Sequence, residues 1–387
     1  MDQNLRGIYW NVTTMDKNLR GIYWNVTTMD QNLRMVDWKV TIMGRSISSY
    51  VNYLSANYDS FSLELRILCV LIIFQYIYYP ILAIVGVPVN LVTIMILSRG
   101  KCGLSECVSR YLMAMAVADL LVVILDLILR QIPILYRQQF LFLQSIDVCN
   151  IHAVLLVAAT DCSVWFTVSF TFDRLVAICC QKLKSKYCTE RTAAVVLGTL
   201  TVLSSLKNIT WYFMLTGRYV LFNNPWFCFL TMNIWLSPVW VGIEFLHYIV
   251  TPCVQFVVIL LLNAFTVRHI LVNSRGRKRL RACSNRKNPR DQEMESRRKS
   301  IILLLVISAN FILLWAMFKV SLLALRMLYL GYYSADLPEY IMEMGFMLQL
   351  LSCCTNICIY AVTQAMFREQ LKNMLQYPFT RINKLIQ

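Results

Sequence analysis

Residues 109–130 read SRYLMAMAVADLLVVILDLILR. The run is apolar apart from its edges and two acidic positions, Asp119 in its middle and Asp126 near its end. About 20 apolar residues suffice to cross the hydrocarbon core of a bilayer. Backbone in lipid has no water to bond to, so such a segment must be a helix. A charge at mid-span costs about 2.5–3.5 kcal/mol on insertion scales, so Asp119 calls for a specific reason to be there. Arg130 follows Asp126 by four positions, which places the two to pair on one helix face.

Six further apolar blocks flank this one, at 68–98, 148–180, 192–214, 241–272, 299–327 and 338–363. The fourth block of the seven is the least regular, because Ser204, Ser205, Lys207 and Asn208 crowd its end. The blocks predict an all-α membrane protein, a seven-transmembrane helix bundle. Composition agrees: 58% of the 387 residues are hydrophobic and 15% charged, against about half and a quarter in soluble domains. The net charge of +16 does not point to nucleic acid, because the basic residues sit in short segments between apolar blocks and so carry topology. Fourteen cysteines lie mostly inside the blocks, where a free thiol acts as a small hydrophobe. Zinc-like spacing is absent.

The basic segments orient the chain. Arg99, Lys101 and Arg110 follow the first block; Lys182, Lys184, Lys186 and Arg191 follow the third; eleven Lys and Arg from Arg275 to Lys299 follow the fifth. Positive loops stay cytoplasmic, which predicts an extracellular N-terminus in the plasma membrane. The tail, 1–67, opens with a 14-residue repeat starting at Met1, Met15 and, degenerately, Met29. Two copies carry glycosylation sequons, at Asn11 and Asn25, on the side where glycosylation occurs. The predicted domains are this tail, the bundle over 68–363, and 364–387. The last begins with an amphipathic stretch, Gln364 to Leu375, suited to an eighth helix at the lipid interface.

The polar residues within the blocks form an ordered set: Asn90 in the first, Asp119 in the second, Asp173-Arg174 closing the third, Trp315 in the sixth, and Asn356 with Tyr360 in the seventh. This order resembles the helix-by-helix signatures of rhodopsin-like G-protein-coupled receptors over roughly residues 68–375. Gly86, Pro88 and Asn90 resemble the first-helix motif and Ala116 with Asp119 the second. Asp173 and Arg174 resemble the third-helix DRY motif, Phe311 and Trp315 the sixth-helix switch, and Asn356 with Tyr360 the NPxxY motif. More narrowly, ILSRGKCGLSECVSRYLMAMAVADLLV and the Leu-Trp-Ala run look like the orphan group called probable G-protein coupled receptor 139.

The resemblance implies roles. Asp173, Arg174, Asn356 and Tyr360 would serve G-protein coupling, and Phe311, Trp315 and Pro252 the activation switch. Cys149 and Cys228 would form a disulfide. Asp119, Ser163, Ser352 and Asn356 match positions that hold a sodium ion in relatives. Oxygen ligands suit a hard cation, and the same residues could instead form a hydrogen-bonded cluster without an ion. Asp161, Glu244, Trp315 and Lys319 would line a ligand pocket. Lys319 lies one turn from Trp315 on one helix face. With the acids it could bind a zwitterion, or it could simply neutralise one of them. The sequence departs from the pattern at Ile357 and Met317, where the family has prolines, and at Arg297, where it has the acidic partner of the coupling arginine. Two lost prolines should straighten the sixth and seventh helices.

The expected function is that of a receptor, not an enzyme. It would bind an extracellular small molecule or peptide, activate a heterotrimeric G protein, and contact membrane lipid but no nucleic acid. No cofactor is expected beyond the sodium ion. Rival readings are a non-signalling receptor-like protein, which the lost prolines favour, and a transporter. A transporter would show repeated halves and interrupted helices, which these blocks lack.

Overall fold

The computed structural model describes residues 61–100, 102–136, 145–215, 219–221, 228–230, 239, 242, 245–281, 290–329 and 337–386; toward several helix ends, and in the strands, it describes backbone only. Seven of its helices are long and apolar enough to span a membrane. They are α1 (Leu63–Ser98), α2 (Glu106–Tyr136), α3 (Ile146–Cys179), α4 (Glu190–Leu215), α5 (Thr251–Arg281), α6 (Arg290–Tyr329) and α7 (Glu339–Thr363). A shorter helix, Gln181–Tyr187, joins α3 to α4, and α8 (Ala365–Ile386) follows α7 after one extended residue, Gln364.

Local sequence explains several boundaries. Ser62 and Ser105 cap α1 and α2, each side chain accepting a backbone N–H of the first turn. Gly100 and Gly103 both take φ +66° in the turn between these helices, a conformation that glycine adopts without strain. Met366 of α8 packs on Gly103, its Cγ 3.1 Å from where a Cβ would stand. Within α2 the chain loosens to a π-helix over Val123–Gln131, and Asp126 and Arg130 still pair there, Nε to Oδ1 at 2.7 Å. A second π-turn, Leu246–Val250, leads into α5. Pro252, lacking an N–H, cannot continue the ladder there. Thr251 instead gives both its N–H and its hydroxyl to the Leu246 carbonyl, the hydroxyl at 2.9 Å.

α3 packs against α2, α4, α5 and α6, so it is the central helix, and α7 closes the ring onto α1. The fourth block is therefore a full helix despite its polar end. α5 and α6 run beyond their apolar blocks into the basic segment between them. A short antiparallel hairpin, β1 (Tyr219–Leu221) and β2 (Cys228–Leu230), packs by β1 against α3 and adds the only strands among the described residues. The outer faces are apolar: Ile84, Val195, Val202, Leu313, Val320 and Val362 are all more than half exposed. The buried set contains Asn90, Asp119, Asp173, Arg174 and Asn356. Apolar outside and polar residues facing the bundle interior is the pattern expected in lipid.

Candidate functional site

The polar side chains of the interior form three groups along the bundle. The middle group centres on Asp119, which is 3% exposed. Ser163 of α3 donates to its Oδ1 and the Asn356 amide of α7 to its Oδ2, each at 2.6 Å. Asn90 of α1 donates to the Gly86 and Cys353 carbonyls at 3.0 and 2.9 Å. The absence of a side chain at Gly86 permits that reach, since a Cβ there would lie 2.6 Å from Cys354 Sγ. Four helices are thus joined through short polar contacts around one carboxylate.

The sixth helix joins this group by another route. Trp315 Nε1 donates to Ser352 Oγ at 2.8 Å, and Ser352 donates to the Gln349 carbonyl at 2.6 Å. Asn310 donates to Thr355 Oγ1 at 3.0 Å. Trp315 is buried and stacked on Phe311, centroids 5.2 Å apart, and Phe311 touches Phe256 of α5 at 5.4 Å. Pro252 is buried on α5, one turn from Phe256. α6 and α7 run unbroken through Met317 and Ile357, where the sequence lacks the family's prolines.

Ser352 thus bonds Trp315 and its own helix rather than Asp119. A carboxylate has about four acceptor sites, so Asp119 retains capacity after accepting from Ser163 and Asn356. The oxygens of Ser163 and Ser352 also keep lone pairs. This donor set fits a small hard cation, and it is equally satisfied as a hydrogen-bonded node.

At the end of the bundle where α3 finishes, Arg174 pairs with Asp173. Its Nε donates to Asp173 Oδ2 at 3.0 Å and its terminal nitrogen makes a closer contact to the same oxygen. The two residues are 7% and 6% exposed, so the ion pair is withdrawn from solvent. Arg174 also lies over the Phe170 ring at 6.0 Å. Tyr360 is fully buried, with its ring edge-on to Phe367 of α8 at 5.6 Å and its hydroxyl without a hydrogen-bond partner among the described residues. The Arg297 side chain lies outside the described residues.

The third group lies toward the opposite end. Asp161 of α3 is ion-paired with Lys207 Nζ at 2.5 Å and accepts from Asn208 Nδ2 at 2.8 Å, both partners on α4. Lys319 sits over the Trp315 and Phe318 rings at 5.1 and 5.3 Å and forms no ion pair among the described residues. Among the described residues, the direct ion pair of Asp161 is with Lys207, at the polar end of α4, and not with Lys319. In the sequence, Lys207 and Asn208 stand out only as polar irregularities at the end of the fourth block. Their spacing to Asp161 across two helices leaves no linear signal.

A second missed group joins α1, α2 and α7. Gln75 donates to Glu343 at 3.0 Å, Tyr78 to the Met347 carbonyl at 2.8 Å, and Arg130, bound to Asp126, lies over the Phe346 ring at 5.7 Å. Cys149 is buried and disulfide-bonded; the Cys228 side chain, like Glu244, Asn11 and Asn25, lies outside the described residues. The sequence model of the family described as 7 transmembrane receptor (rhodopsin family) matches residues 89–360.

Proposed function

Because the chain belongs to the rhodopsin family of seven-transmembrane receptors, we propose that it binds an extracellular small molecule or peptide and promotes nucleotide exchange on a heterotrimeric G protein. The observation that carries this reading is the buried Asp173–Arg174 pair at the end of α3. A buried ion pair is costly to break in place, because it leaves an uncompensated charge. Outward displacement of α6 would open that end, let Arg174 turn toward a G-protein helix, and leave Asp173 to solvent. Such a change is a shift between two packings of one bundle.

The ligand half is the part of the bundle toward the α3 start, where Asp161, Lys319 and Trp315 lie, and Glu244, outside the described residues, is assigned to it from the sequence resemblance alone. Trp315 is the physical link, because it touches Lys319 on one side and reaches α7 through Ser352 on the other. Phe311 and Pro252 carry the switch to α5. Asn356 and Tyr360 close the path toward Arg174. At the centre, Asp119, Ser163, Ser352 and Asn356 would hold a sodium ion, which would supply positive charge to the buried carboxylate and favour the resting packing.

The plasma membrane, with the N-terminus outside and α8 at the cytoplasmic lipid surface, accords with the basic segments. Cys149 then pairs with Cys228 in an oxidising compartment, and Asn11 and Asn25 are accessible for glycosylation. The narrower likeness to the probable G-protein coupled receptor 139 group rests on the sequence runs alone. A non-signalling receptor-like protein is the second reading, favoured by the unbroken α6 and α7.

The test is nucleotide exchange across a panel of G-protein subtypes in cells expressing the chain, beside Arg174→Ala. Exchange that vanishes in the variant supports the coupling role. A signal that persists at equal surface expression counts against it.

A further inference from the structure

Three chain segments meet at one residue, Asp173, beside the coupling arginine. We propose that Cys107 and Cys188 form a thiol clamp that holds Asp173 against Arg174, which makes both cysteines positioning residues for the resting state. The consequence for signalling rests on the receptor reading above; the clamp itself does not.

Cys107, in the first turn of α2, donates from Sγ to Asp173 Oδ1 at 3.2 Å. Cys188, between the short helix and α4, donates from Sγ to the Asp173 main-chain oxygen at 3.6 Å. Arg174 takes the other carboxylate oxygen. Each oxygen of the Asp173 side chain therefore has its own donor, one from α2 and one from α3. Cys107 is 1% exposed, so no water replaces its S–H if the thiol is removed. Burial, with Asp173 beside it, pushes the Cys188 thiol up to about 11. It stays protonated, and so remains a donor, at cytosolic pH.

The choice of sulfur has a physical consequence. A thiol is a weak donor, so the clamp satisfies a buried carboxylate without holding it as firmly as a hydroxyl or a cation would. Position 297 on α6 is arginine, which cannot accept from Arg174. The restraint on Asp173 comes instead from α2 and the α3–α4 connection, and these need not move with α6. Removing the Cys107 donor leaves one carboxylate oxygen unsatisfied in the resting packing, and that packing alone is penalised.

The experiment uses the full chain and two readouts. The first is the infrared S–H stretching band isolated by subtracting the spectrum of Cys107→Ser from that of the wild type. A band shifted to low frequency, which moves back when the subtraction is repeated in an Asp173→Asn background, is expected. An unshifted band overturns the clamp. The second is basal nucleotide exchange per receptor at the cell surface. Cys107→Ala is expected to raise it about three- to tenfold, the factor that an ordinary hydrogen bond, of the strength a weak thiol donor gives, supports. Cys107→Ser, whose hydroxyl restores the donor, is expected to return it to the wild-type level or below. A shifted band with unchanged exchange in Cys107→Ala, where wild-type exchange is measurable, overturns the positioning role. If the wild type couples to no G protein, that result bears on the receptor reading, and the infrared band decides the clamp by itself.

Discussion

Gly345 of α7 faces α6 so closely that a Cβ there would lie 2.7 Å from the Cα of Phe318, 2.9 Å from its nitrogen and 3.2 Å from its Cβ. Two of these three atoms are helix backbone, which cannot rotate away. Gly345→Ala therefore forces α6 and α7 apart by roughly 0.7 Å, the gap between 2.7 Å and the 3.4 Å at which ordinary contact begins. Overpacking of this kind costs about 1–3 kcal/mol. The contact adjoins Lys319 and the Trp315 ring, so the strain falls on the helix pair that the proposed activation would move apart. Two other glycines calibrate the result. Gly198 of α4 has nothing within 4 Å of its missing Cβ, and Gly198→Ala should be neutral or stabilising by up to about 1 kcal/mol through helix propensity. Gly86 would meet Cys354 Sγ at 2.6 Å, a side-chain atom that can shift, and should fall between the two. The assay is thermal unfolding of the purified chain in detergent, all three variants side by side. The expected order of melting temperature is Gly198→Ala, then Gly86→Ala, then Gly345→Ala. Equal melting of Gly345→Ala and Gly198→Ala would refute the close-approach argument.

Ser352→Ala should cost about 1–3 kcal/mol by leaving the buried Trp315 Nε1 without its acceptor; thermal unfolding reads the loss, and Ser352→Thr, which keeps the hydroxyl, should recover most of it. Replacing choline chloride by sodium chloride at constant ionic strength should raise the melting temperature of the wild type and leave Asp119→Asn unmoved; an equal rise in both would place the sodium effect elsewhere. Lys319→Met removes a cation that lies over aromatic faces and makes no direct ion pair among the described residues, so unfolding measurements should show it as stable as the wild type or more so. Asp161→Asn should lower stability, because Lys207 loses its counter-ion. Non-reducing peptide mapping should recover Cys149 linked to Cys228, and alkylation of either as a free thiol would count against that pairing.

Much of the architecture is legible in linear order because lipid imposes one secondary structure on any long apolar run. The block around Asp119 sufficed to announce a spanning helix, and the same argument placed all seven. Asp126 and Arg130 could be paired from spacing alone, since both lie on one helix. Lys319 could likewise be set above Trp315. The residues of the middle group were also recognisable, as an ordered set with one polar position on each of several helices. Helix ends were less legible: α5 and α6 extend into basic segments where composition no longer signals the membrane.

What the sequence by itself determined is therefore what acts within a single helix: the spans, their order, and the contacts between residues three or four apart. Tertiary structure alone decided which helix faces meet. It gave Asp161 to Lys207 and Asn208 rather than to Lys319, set Ser352 under Trp315 rather than on Asp119, and brought Cys107 and Cys188 to Asp173. Those partners stand between 15 and 66 residues apart along the chain. Their encounter depends on helix rotation and crossing, which are set by packing at glycines such as Gly86 and Gly345 and by no periodicity in the sequence.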